Sequence, residues 1–248
     1  MRRIPLAAVA ALLTLALTPA AALAADREPA PRVVSADGVR SRFHVHVLVA
    51  VPAGASASAA RTRALDAQGA DGVTARAAYT LDGLRFSTMP IVQRLSTYGA
   101  PGDISSVLRS VQAAWSSVSG SSLRFAFGGL TATCPSQAPA CPGPQRFDGH
   151  SDVGWSPLPR GTLGVTWFQP GVEEADIVLS LNVPWSLGCT DVAGRVDLPT
   201  ALLHEEGHVA GLGHSDDPSA VMYPTYSEPR CALAADDIAG VQALYPAG

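Results

Sequence analysis

Three histidines and one carboxylate, His204, Glu205, His208 and His214, stand in the string HEEGHVAGLGH over residues 204–214. On a helix, positions four apart return to nearly the same face about 6 Å along the axis, so His204 and His208 aim their imidazoles at one point. Gly211 is suited to the left-handed backbone that ends a helix, and the turn brings His214 to that point from another direction. Three imidazoles leave a tetrahedral Zn²⁺ with one open position, the mark of a catalytic site. Glu205, rotated about 100° from His204, need not touch the ion. It is placed to act as general base on a water whose pKa zinc lowers from ~15.7 toward ~7. The chemistry implied is attack of that water on a carbonyl, with Glu205 passing the proton to the leaving amine. Five fixed positions in this register arise by chance on the order of 10⁻⁴. The remaining histidines, His44, His46 and His150, have no such spacing and are assigned no catalytic metal role on it.

The motif needs a helix and a frame to hold it. Asp197 and Pro199 are start signals for a helix over 198–212. From Tyr79 onward the pattern is that of a packed α+β domain. A strand is expected at 91–95, and a helix capped by Asp103 carries Ile104, Val107, Leu108, Val111, Trp115 and Val118 on one face, with Gly120 placed to end it. Leu123, Phe125 and Phe127 alternate as a strand does. The Pro-, Gly- and Ser-rich stretch 131–161 reads as a long irregular loop. Strands follow at 163–168 and 176–181, broken apart by Gln169-Pro170-Gly171, and a last helix over 236–245 buries Ile238, Val241 and Leu244.

Bulk properties narrow the setting. Arg2 and Arg3, an apolar run from Leu6 to Leu17 and Ala22-Leu23-Ala24 form a secretory signal over 1–24, and no other segment approaches the ~20 apolar residues of a membrane span. The expected product is secreted and extracellular, monomeric, and not inserted in a membrane. A net charge of −4 with no surviving basic run gives no support to nucleic-acid binding. Four cysteines, Cys134, Cys141, Cys189 and Cys231, in an exported chain imply two disulfides. Cys134 and Cys141 can close a short local clip, which leaves Cys189 to meet Cys231. Residues 25–78 form a leader or pro-segment: Phe43–Val51 has strand composition, 56–67 suits a short helix, and 69–72 reads as a linker.

The zinc string, with Ser215 after the third histidine and Val221-Met222-Tyr223-Pro224-Thr225-Tyr226 beyond it, resembles the matrixin branch of the metzincin metallopeptidases, in a secreted form of the bacterial type. The likeness runs over about 79–247 and includes Ala114-Trp115-Ser116, Phe168-Gln169-Pro170-Gly171 and the segment from Asp236 to Tyr245. The resemblance implies an α+β metzincin-like domain over 79–248, with a twisted mixed sheet, an active-site helix and a C-terminal helix. It implies an endopeptidase acting on proteins or peptides. Met222 would floor the zinc site, Pro224, Thr225 and Tyr226 would wall the pocket for the residue after the scissile bond, and the strand at 163–168 would be the edge that pairs with substrate.

Two departures qualify what the family implies. Animal matrixins carry a second, structural zinc and calcium on histidines and acids that the strands around 163–168 and 175–182 lack, so one catalytic Zn²⁺ is expected. Calcium stays open, because Asp148, Asp152, Glu173, Glu174 and Asp176 offer oxygen ligands, with a solvated loop as the alternative. The leader also lacks the family's latency cysteine, the first Cys being residue 134. Removal of the leader near Ala78 would free the amine of Tyr79 to pair with Asp236 or Asp237, and until then Asp37 or a leader histidine would occupy the open zinc position. Helix-terminal charge is the alternative role for the two aspartates, and a permanent strand–helix addition the alternative for the leader.

Overall fold

The computed structural model describes residues 32–40, 43–51, 59, 63, 71–72, 79–141, 146–226 and 228–248. The signal segment lies outside them, as do the helix expected at 56–67, apart from the helical residues Ala59 and Arg63, and most of the linker.

Eleven strands and three helices make up the described fold. The strands are β1 (Arg32–Arg40), β2 (Phe43–Val51), β3 (Asp71–Gly72), β4 (Ile91–Ser96), β5 (Phe125–Thr131), β6 (Ser151–Ser156), β7 (Thr162–Phe168), β8 (Ala175–Ser180), β9 (Trp185–Ser186), β10 (Val196–Asp197) and β11 (Thr225–Tyr226). The helices are α1 (Ser105–Ser116), α2 (Leu198–Val209) and α3 (Ala235–Leu244). Nine strands form one mixed sheet in the order β11-β1-β2-β7-β8-β6-β4-β5, with β3 also paired to β1. The pairs among β5, β4, β6 and β8 are parallel; β7 on β8, β2 on β7, β1 on β2 and β11 on β1 are antiparallel. Helix α1 is the crossover that lets the parallel neighbours β4 and β5 pair.

Local chemistry sets the helix ends. The N-cap of α1 is Ile104, not the expected Asp103, which stands one residue earlier and accepts the backbone N–H of Ser105 at 2.8 Å; Asp197 caps α2, accepting the N–H of Thr200 at 3.0 Å with Pro199 in the first turn. The apolar face of α1 buries Leu108, Val111 and Trp115 in the main core, where they join Leu202, Leu203 and Met222. Trp115 also donates its indole N–H to the Leu203 carbonyl at 3.0 Å, which locks α1 against α2.

Two expectations are corrected. The stretch 131–161 is not loop throughout, because β6 lies in it between β4 and β8. All six β6 residues are buried, so the strand lacks the polar–apolar alternation that marks a half-exposed one. Strand β7 is not an edge: β2 covers the side that β8 leaves open. The disulfides join Cys134 to Cys141 and Cys189 to Cys231.

Candidate active site

Helix α2 presents His204 and His208 one turn apart, both buried. Gly211, with φ of 93°, ends the run; a Cβ there would meet the Leu84 carbonyl oxygen at 2.2 Å, so only glycine makes this turn. The turn returns His214 to the site, its ring centroid 5.3 Å from that of His204 and 4.9 Å from that of His208.

Hydrogen bonding settles which nitrogens face inward. His204 Nδ1 lies 2.8 Å from the Val221 carbonyl oxygen, and His208 Nδ1 lies 2.7 Å from that of Leu212. A carbonyl only accepts, so each Nδ1 carries the proton. The two Nε2 atoms then face each other at 3.1 Å. Burial, followed by the neighbouring His208 and His214, pushes His204 well below the usual imidazole range; burial, followed by His46, lowers His208 to about 4. Both rings are therefore neutral, and two lone pairs converge with no proton between them. A cation relieves that arrangement, and two nitrogens on a tetrahedral Zn²⁺ stand about 3.4 Å apart. The residues present fit a zinc ion.

Around that position the sequence-derived residues fall as follows. Glu205 is fully buried and its Oε2 accepts the Thr166 hydroxyl of β7. Met222 lies beneath α2, where a Cβ on Gly207 would meet its sulfur at 2.2 Å; the first glycine of the motif is thus a clearance for the floor. Asp237 accepts the N–H groups of Val221 at 2.8 Å and Met222 at 3.0 Å, a buried brace for that turn. Asp236 accepts the Ser215 hydroxyl. The two aspartates read as partners of a new N-terminus are thus engaged by the Met222 turn and by Ser215. Beside His204, a cavity is lined by Leu48, Thr200, Ala201, Val221, Tyr223 and Arg230. Pro224 is partly buried but does not line the cavity, and Thr225 and Tyr226 form β11 opposite Val34 and Val33 of β1.

Carboxylates weighed for calcium have protein partners. Asp152 pairs with the Arg94 guanidinium at 2.7 and 2.8 Å, Glu174 accepts the N–H groups of Asp148 and Gly149, and Asp176 accepts those of Ser136 and Asp152.

One residue that the spacing did not connect to the site lies beside it. His46 of β2 is 3% exposed and lies in the histidine cluster, its ring 3.8 Å from that of His208 at an interplanar angle of 13°. Its Nε2 is 3.1 Å from Asp82 Oδ2. No spacing reveals this, because His46 reaches the site by strand pairing across more than 100 residues of chain. The strand composition of Phe43–Val51 beside an expected edge at 163–168 was the only available signal.

Comparison with known proteins agrees with this geometry. Residues 145–246 match the family model described as Matrixin. Human matrix metalloproteinase-20 is 42% identical over 91 residues, 35% of this chain and 18% of the relative. Human matrilysin is 56% identical over 48 residues, 18% of each chain, and metalloendoproteinase 4-MMP of Arabidopsis thaliana is 39% identical over 90 residues, 34% of this chain and 26% of the relative. The chain therefore spans about a fifth to a quarter of the length of these relatives. Being human and plant proteins, they lend nothing to the expectation of a bacterial-type form.

Proposed function

We propose that this chain, whose residues 145–246 match the Matrixin family model, is a matrixin-like metzincin: a secreted, zinc-dependent metalloendopeptidase that hydrolyses internal peptide bonds of proteins, with one zinc on His204, His208 and His214. The observation that carries this is the pair of unprotonated Nε2 atoms facing each other at 3.1 Å beside a buried Glu205. Zinc held there supplies a Lewis acid and makes water acidic enough to attack at neutral pH.

This chain's own residues do the rest. The Val221 and Leu212 carbonyls hold the His204 and His208 rings in one orientation and tautomer, which preorganises the site. Thr166 fixes one oxygen of Glu205, so the carboxylate takes a proton from the attacking water and returns it to the departing amine without first having to reorient. With β2 displaced from that edge, β7 would supply backbone groups for an extended peptide, and the cavity at Ala201, Val221 and Tyr223, now lined also by Leu48, would receive the side chain after the scissile bond. Residues 1–24 as a secretory signal and two disulfides support an extracellular product.

In the active form, Glu205→Ala is expected to keep stoichiometric zinc and lose at least ~10²-fold in peptide turnover. Phenanthroline should abolish turnover and added Zn²⁺ restore it. Equal turnover by wild type and Glu205→Ala would remove this mechanism.

A further inference from the structure

Asp197 ends β10 and caps α2 with one oxygen only: Oδ2 accepts the Thr200 N–H at 3.0 Å and the Thr200 hydroxyl at 2.7 Å. The other oxygen, Oδ1, is buried with no hydrogen-bond partner among the described residues, on a residue that is 1% exposed. An unsatisfied buried carboxylate oxygen is costly, and a donor or a cation relieves it. Two sulfurs stand beside this carboxylate. Cys231 Sγ is 3.8 Å from Oδ2 and 3.9 Å from the Thr200 hydroxyl oxygen. The sulfurs of Cys189 and Cys231 and an Asp197 oxygen all lie within 4.8 Å of one another. In the oxidised chain the two sulfurs are bonded to each other. That bond is within reach of a small reductant. Cys231 is exposed, and both cysteines line a cavity of about 630 Å³ between α1 and the start of α2, walled by Ser110, Ala114, Pro199 and Leu203. Cys189 also has a φ of 53°, a left-handed backbone that its Cβ disfavours and that opening the crosslink lets relax. Two thiolates and a carboxylate form a soft, anionic donor set suited to zinc or cadmium.

We propose that Cys189, Cys231 and Asp197 form a second metal site, closed as a disulfide in the oxidised chain, which binds one thiophilic divalent cation once that disulfide is reduced. A small thiol is the reductant. Its thiolate attacks one sulfur and breaks the S–S bond, and a second thiolate resolves the mixed disulfide. Two electrons enter the cysteine pair, each cysteine takes a proton, and the reductant leaves as its own disulfide. Each cysteine gives its proton to solvent as the cation binds, and water completes the tetrahedron. Oδ2 stays on Thr200, so α2 keeps its cap while Oδ1 changes from an unsatisfied group to a ligand. The cation thereby restores the link between the approach to α2 and the chain at Cys231 that reduction opens. This site is separate from the three histidines and does not depend on the peptidase reading.

The test is a cadmium titration of the full chain with zinc already supplied to the histidine site. Cys134→Ser with Cys141→Ser leaves Cys189 and Cys231 as the only source of thiolate. After reduction with a small thiol, and removal of that thiol under nitrogen, Cd²⁺ should raise an ultraviolet thiolate-to-cadmium charge-transfer band that saturates at one ion per chain. The same chain left oxidised should give no band. Asp197→Asn keeps a capping oxygen for Thr200 and should weaken cadmium binding at least tenfold. In the unsubstituted chain, cadmium added after reduction should shield Cys189 and Cys231 from alkylation, read by peptide mass. Absence of that shielding overturns the proposal and needs no variant to fold. So does a reduced pair that gives no band, an affinity that Asp197→Asn leaves unchanged, or a bond that excess thiol leaves intact in the folded chain.

Discussion

The carboxylate of Asp237, at the start of α3, accepts the backbone N–H of Met222 at 3.0 Å, so the last helix holds the floor of the zinc site in place. The same side chain takes the N–H groups of Val221 and Ala234, both at 2.8 Å, while it is almost wholly buried. Three donors on one buried acid form a unit that leaves unsatisfied groups behind when it is removed. Asp237→Ala is expected to lower stability by about 3 kcal/mol, since each orphaned buried N–H costs ~1–3 kcal/mol. It should also reduce zinc affinity, because Val221 supplies the carbonyl that orients His204. Denaturant unfolding and zinc competition on one preparation check both, and unchanged zinc affinity would disconnect the brace from the metal.

The disulfide between Cys189 and Cys231 ties the approach to α2 to the chain just past the pocket. Its sequence separation of 42 corresponds to about 4 kcal/mol of loop-closure entropy. Cys189→Ser with Cys231→Ser should lose an amount of that order in chemical unfolding. The clip from Cys134 to Cys141, with a separation of 7, should matter less when removed. Equal losses from the two pairs of substitutions would argue against this ordering.

Glu206, beside the proposed general base Glu205, faces the core and not the cleft. With Gln93 oriented to present its amide nitrogen, that group donates to the Glu206 carboxylate at 2.8 and 3.0 Å. Burial raises the Glu206 carboxyl well above its usual range, against Gln93 and with help from Glu205. The folded chain thus keeps a proton that the unfolded chain has already lost once pH exceeds about 4.3. Stability from this group is present below that pH and declines as pH rises toward the elevated folded value. Glu206→Gln should therefore gain on the wild type between pH 5 and pH 8 with zinc saturating. A melting-temperature difference that is flat or shrinks over that range would refute the assignment.

Activation predicts a new N-terminus. If β1 and β2 leave with residues 25–78, the active form isolated after secretion should begin near Tyr79. N-terminal sequencing checks this, and full activity in a chain that begins at residue 25 or 26 would mean that the segment is a permanent part of the enzyme.

Much of the frame was legible because its signals are local. Helix α1 follows from an apolar face repeating at helical spacing behind Asp103, and α2 from Asp197 and Pro199. Strand β6 was not legible, since burial on both faces removes the alternation by which a strand is recognised and leaves Ser, Asp and Gly to read as loop. Asp237 was legible only as a charge at a helix start. Its three N–H donors come from segments that the fold alone brings beside it.

For the site, the proposed metal ligands were legible in the sequence by itself, because His204, His208 and His214 are joined by one helix and one glycine turn that bring them near one another. Their protonation was decided by the tertiary structure, because the Val221 and Leu212 carbonyls that hold each Nδ1–H arrive from the turns beyond the helix. The fold alone also decided what lies across the cleft. His46 and Leu48 come within reach of residues 160 positions or so away only through the pairing of β2 with β7. That pairing depends on a sheet register which no spacing within either strand specifies.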